Sequence, residues 1–157
     1  MKTRLTLIFL LAFVPALAQS SGEDAINKTI EEFFEGFHNR DTAQMRSVLH
    51  EQVHMQRIGT DAGGKPFIKE ESVMDFLTSM ASLPDTLKIE ERLHFYITQT
   101  DGAMANAWTP YSFYVQYKLH HCGVNSFQLF YDGAAWKIIY IVDTRQLKAC
   151  TEPEKAD

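Results

Sequence analysis

From Lys88 to Arg145 the chain is almost continuously strand-type sequence, punctuated by Asp101-Gly102 and Asp132-Gly133. Asp-Gly between apolar runs is a strong hairpin signal, because tight two-residue turns need backbone that Gly adopts freely. Ile89, Leu93, Phe95 and Ile97 alternate with Lys88, Glu90, Arg92 and His94, the period of a half-buried strand. Met104 to Tyr117, His121 to Tyr131 and Trp136 to Arg145 follow, rich in aromatic and β-branched residues. Four such segments in series predict an antiparallel sheet with one apolar face that something must cover.

The first half supplies the cover. Ile26, Ile30, Phe33, Phe34 and Phe37 form one stripe of an amphipathic helix over about residues 24–38. Asp41 with Gln44 predicts the start of a second, shorter helix, with Met45, Val48 and Leu49 apolar. Val53 to Ile58 is weakly strand-like, and residues 59–66 read as a loop. Val73, Phe76, Leu77 and Met80 predict a third helix from about Glu70 to Ser82, stopped by Pro84. Helices first and strands afterwards predict an α+β domain, with the helices on one face of the sheet.

Ahead of this pattern, Lys2 and Arg4 precede an apolar run from Leu5 to Val14, then Pro15 and Ala16-Leu17-Ala18. This reads as a signal peptide over residues 1–18, cleaved near Ala18, and predicts a secreted or periplasmic protein. The run is too short to cross a bilayer, and no later stretch reads as a membrane span. The domain then occupies 19–150, with a charged tail at 151–157. The net charge of −5 becomes more acidic once Lys2 and Arg4 leave. An acidic chain without a basic cluster is a poor partner for nucleic acid. Cys122 and Cys150 leave two alternatives in an exported protein: a bridge, which requires the tail to fold back, or a free buried Cys122.

Two-residue loops at Asp101-Gly102, Gln116-Tyr117 and Asp132-Gly133 set strand parity. One face then carries Leu93, Phe95, Ile97, Trp108, Tyr114, Phe127, Leu129, Trp136, Ile138 and Val142, and is assigned to the core. The other carries Thr109, Tyr111, Gln128, Ile139, Ile141 and Asp143. His121, Gly123 and Asn125 fall on the core face, with Trp108 opposite Asn125. Polar groups flanking a glycine notch in an apolar wall are the form of a small-molecule pocket, walled here by Trp108, Tyr114 and Tyr140. The alternative is that His121 and Asn125 satisfy buried backbone, or that Gly123 marks a bulge.

The runs Trp108-Thr-Pro-Tyr-Ser-Phe-Tyr114, His121-Cys-Gly-Val-Asn-Ser-Phe127 and Trp136-Lys-Ile-Ile-Tyr-Ile-Val-Asp-Thr-Arg145 resemble exported members of the nuclear transport factor 2-like superfamily, nearest its SnoaL-like and lumazine-binding-like branches. The resemblance spans about Glu23 to Leu147. It implies a cone of strongly curved antiparallel sheet wrapped around three N-terminal helices, a pocket between them, and homodimers through the outer sheet face. The superfamily includes ligand binders as well as ketosteroid isomerases, polyketide cyclases and dehydratases, some using an Asp base. Asp143 is the nearest counterpart here, and the parity above points it outward.

His50-Glu51-Gln52-Val53-His54 matches H-E-x-x-H, which binds zinc when it lies on a helix. Here the second helix is ending and the chain turns extended, so no metal and no cofactor are expected. His54 and Gln56 are either pocket residues at the cone mouth or solvent-facing. Tyr111, Asp143 and Arg145 are read as neighbours on the outer face, as a structural cluster or at a dimer interface. The function expected is binding of a small, partly apolar molecule by His121, Asn125, Trp108, Tyr114 and Tyr140. The alternative is an enzyme with His121 as acid/base at its ordinary pKa near 6.5.

Overall fold

The computed structural model describes residues 17–147 and 150, with side chains from residue 22 onward. The expected leader up to Ala16 and the charged tail lie outside the described residues. Helix α1 (Leu17–Asn39) carries the predicted stripe: Ile26 and Ile30 are fully buried, and Phe33, Phe34 and Phe37 nearly so. Helix α2 (Thr42–Val48) starts where predicted, with Asp41 accepting from the Gln44 N–H at 2.9 Å. Helix α3 (Val73–Ala81) is capped by Ser72 and buries Leu77 and Met80. Among the described residues, no helix is long and apolar enough to cross a membrane.

The strands are β1 (Leu49–Thr60), β2 (Pro66–Glu71), β3 (Ile89–Leu93), β4 (Ile97–Asp101), β5 (Met104–Val115), β6 (Lys118–Tyr131) and β7 (Trp136–Thr144). They form one curved, open sheet in the order β2-β1-β7-β6-β5-β3, with β4 also on β5. The α+β class holds. The fully antiparallel expectation does not, because β1 runs parallel to β7. β2 was not foreseen: every residue of it but Glu71 is exposed, so it shows no burial period, and α3 starts three residues later than predicted.

The Gln116-Tyr117 turn closes Val115 against Lys118, with both turn residues at positive φ. Two bulges then reset parity. His120 is an extra residue in β6, since Tyr114 pairs with Leu119 and Phe113 with His121. Ile139 is an extra residue in β7, since Leu129 pairs with Ile138 and Gln128 with Tyr140. A bulge moves all subsequent side chains to the opposite face relative to the partner strand. On β5 the inward set is therefore Ala105, Ala107, Thr109, Tyr111 and Phe113, not Trp108 and Tyr114. On β7, Ile141 and Asp143 turn inward in place of Val142. Phe127, Leu129 and Ile138 are fully buried where expected.

The chain does fold back after β7. Gln146 pairs with Cys122 through both backbone hydrogen bonds, and Cys122 and Cys150 form a disulfide with Cα atoms 5.6 Å apart. The bridge alternative is the one the structure contains.

Candidate functional site

A cavity of about 340 Å³ lies between the concave sheet face and the helices. One end is aromatic and aliphatic. The Phe76 ring stacks between Phe33 and Phe37 with both centroid distances 6.3 Å, and Met80, Leu83, Leu87 and Ile89 complete the wall. Helix spacing alone places Phe33, Phe37, Phe76 and Met80 together, while Leu83 and Leu87 come from the connection after α3 and Ile89 from β3.

The other end is polar, and strand parity builds it. Glu91, on β3, receives a hydrogen bond from Asn125 Nδ2 at 2.7 Å. Arg57, on β1, donates from Nε to both oxygens of Asp143 at 3.0 and 3.2 Å, while its NH2 lies 3.4 Å from Glu71. The Tyr111 hydroxyl donates to the Thr144 carbonyl at 3.0 Å. Arg145, the residue after β7, is exposed at the rim.

Two groups here are far from their ordinary titration. Burial pushes the Glu91 carboxyl up to about 7; the Asn125 hydrogen bond pulls it down, and the charge of Asp143 adds to the rise. Burial pushes His121 down to about 3, with Arg145, His120 and Arg57 adding positive charge nearby. His121 is therefore a neutral imidazole near pH 7, with Nδ1 2.9 Å from His120 Nδ1 and its ring 4.6 Å from that of Phe113. The cavity group whose titration falls near neutrality is Glu91 rather than His121. Burial, then Glu91 and Asp143, holds the Tyr111 phenol well above its usual range. Against the pull of burial, Asp143 holds the Arg57 guanidinium above its own.

Of the residues expected at the site, His121 and Asn125 line the cavity and are 3% and 5% exposed. Trp108 does not: it is 48% exposed and pairs with Ile97 on the outer face. The His120 bulge also turns Tyr114 away, leaving its ring under the Arg92 guanidinium at 4.4 Å. Tyr140, displaced by the Ile139 bulge, hydrogen-bonds the Gln56 side chain and pairs with Gln128. Gln56 borders the cavity, but its side chain is committed to Tyr140 and, through Nε2 at 2.8 Å, to Glu70, the same carboxylate that His54 faces at 3.5 Å. Tyr111, Asp143 and Arg145, read as outer-face neighbours, all line the cavity.

The Gly123 notch is not vacant. A Cβ there would lie 1.9 Å from the Thr144 carbonyl oxygen and 2.9 Å from the Tyr111 ring, so glycine is needed to admit β7 and the tyrosine. The H-E-x-x-H residues lie on β1, not a helix. Among the described residues, no group of three or more His, Cys, Asp and Glu is placed to hold a metal ion.

Glu91 was missed, although its sequence carries a signal. It sits between Ile89 and Leu93 in the apolar phase of β3, where a carboxylate has no business unless it is buried for a reason.

No protein-family profile matches the sequence, and no curated protein sequence does. Solved structures do match. A nuclear transport factor 2-like protein of unknown function from Shewanella baltica is 12% identical with a TM-score of 0.57, over 81% of this chain and 95% of that one. A nuclear transport factor 2-like protein with a cystatin-like fold from Novosphingobium aromaticivorans is 11% identical with a TM-score of 0.65, over 87% and 89%. The proposed beta subunit of an aromatic-ring-hydroxylating dioxygenase from the same organism is 9% identical with a TM-score of 0.67, over 86% and 95%. With the helix-backed curved sheet already described, these likenesses show that the chain has the nuclear transport factor 2-like fold.

Proposed function

We propose that this protein is an exported domain that binds a small, partly apolar molecule in the cavity between sheet and helices. The observation that carries the reading is a half-open cavity of about 340 Å³ with an aromatic end and a convergent polar end. That size and mixture are those of small-molecule sites. A neutral naphthylamine dye should bind with 1:1 stoichiometry. Leu87→Trp, a half-buried wall position, should weaken it at least tenfold while leaving the circular dichroism spectrum unchanged. Absence of saturable binding, or equal binding by the Trp variant, sinks the reading.

Export is supported by the leader sequence and by the Cys122–Cys150 bridge, since disulfides persist in oxidising compartments. The mature N-terminus should be Gln19. Self-association through the outer sheet face is supported by Ile97, Trp108, Met104 and Phe130, all exposed there. Trp108→Glu should then yield monomers in sedimentation experiments.

A second reading, acid–base catalysis of the isomerase, cyclase or dehydratase kind, is favoured by Glu91. A cavity carboxyl titrating near neutrality can take a proton from a bound molecule or give one to it. Glu91→Gln separates the two readings: an enzyme should lose roughly 10²-fold or more in rate, and a binder should keep its dye affinity.

A further inference from the structure

The charges facing the cavity are not evenly committed. The Arg57 guanidinium is used on both sides, by Asp143 through Nε and by Glu71 through NH2. Those two carboxylates are thereby answered. Glu91 is half-buried and accepts a hydrogen bond from Asn125. Arg145 is different. It lines the same cavity, yet among the described residues it makes neither a hydrogen bond nor an ion pair. Its place is nevertheless well defined, because the next residue is stitched to Cys122 by two backbone hydrogen bonds and the chain is closed four residues later by the disulfide.

A cationic ligand end would have to sit between two guanidinium groups. A doubly charged phosphate would bring two negative charges toward Asp143 and Glu91. A single planar carboxylate matches one guanidinium fork in charge and in shape. Resting on the small-molecule reading above, we propose that the cavity takes an amphipathic carboxylic acid, its apolar body among Phe33, Phe37, Phe76 and Ile89 and its carboxylate on Arg145 at the rim. The apolar body accounts for the depth of the aromatic end, and the carboxylate pairs the one cavity-facing guanidinium that lacks a partner among the described residues.

The test compares 4-phenylbutyrate with 4-phenylbutanol, which differ only in the end group, by calorimetry at pH 6 on the full protein and on Arg145→Gln. The acid should bind the wild type about tenfold or more tightly than the alcohol, as expected of a charge-assisted pair. Arg145→Gln should erase that gap and leave the alcohol within about twofold, since an apolar body owes little to a rim charge. Equal binding of acid and alcohol by the wild type overturns the carboxylate assignment, as does a gap that survives in the variant; in both cases the small-molecule reading stands. Binding of neither compound overturns both.

Discussion

The aromatic end of the cavity is made by side chains that hold one another: Phe33, Phe37 and Phe76 stack, and Phe127 meets Phe34 edge to face with centroids 6.1 Å apart. The polar end is made by side chains that would be unwelcome there singly. Glu91, Asn125, Arg57, Asp143, Tyr111 and His121 are tolerable in the interior because each has a partner or has given up its charge. The first end is stabilised by burial and is indifferent to pH. The second contributes little net stability and carries the titrating groups.

The sharpest way to break that contrast is to empty the apolar end. Phe127 is fully buried beneath α1. Phe127→Ala should cost about 3–5 kcal/mol, the lost transfer of a ring plus the cavity left behind. Urea denaturation at pH 6 reads it directly. A loss under about 1 kcal/mol would mean that this end can collapse around the gap and is not held by packing.

The two ends also differ in how far they could be read from residue order. The stripe Ile26-Ile30-Phe33-Phe34-Phe37 sets a helix face by spacing alone, and nothing later in the chain can rotate one residue of it away from the others. Strand parity has no such protection. The Gln116-Tyr117 turn forms as predicted, but parity has already slipped before it. Leu93 pairs with Tyr111 on the inner face, whereas Ile97, expected on the same face as Leu93, pairs with Trp108 on the outer face, and the first turn is Gly102-Ala103 because Asp101 pairs with Met104. One extra residue at His120 and another at Ile139 then exchange faces, bringing Tyr111 and Asp143 in and sending Trp108 and Tyr140 out. Neither bulge has a glycine or any other local mark; each is a consequence of the sheet curving around the helices. His121 and Asn125 were placed inward because they share a strand with Phe127 and Leu129, which lie past the bulge in the same phase. Glu91 was legible in principle, as a carboxylate in an apolar phase.

A smaller perturbation sharpens the contrast at the polar end. The Glu91 carboxyl sits at about 7 in the folded protein against 4.5 ordinarily. Raised in this way, it favours the folded state fully below pH 4.5, and that advantage is lost as the pH climbs through 7. Glu91→Gln keeps an oxygen for Asn125 and removes the ionisation. The variant should match the wild type near pH 4 and exceed it at pH 8 by up to about 3 kcal/mol, the full value of such a shift. Denaturation midpoints at the two pH values measure this. A variant no more stable than the wild type at pH 8 would show that Glu91 ionises in the fold without strain.

His121 should act in the opposite direction and more weakly over an accessible range. Its folded pKa of about 3 lies below the ordinary 6.5, so the unfolded chain takes up a proton that the folded chain refuses. Stability attributable to this residue is complete above pH 6.5 and drains away as the pH falls toward 3. Between pH 6.5 and 5 that amounts to about 2 kcal/mol. His121→Gln keeps a polar group beside His120 but cannot titrate, so its stability should fall less than the wild type's over that interval by about the same amount. Parallel urea titrations at the two pH values decide it: identical slopes in variant and wild type would mean that the imidazole is protonated in the folded state. It would then be free to serve as the acid that its depressed pKa denies it.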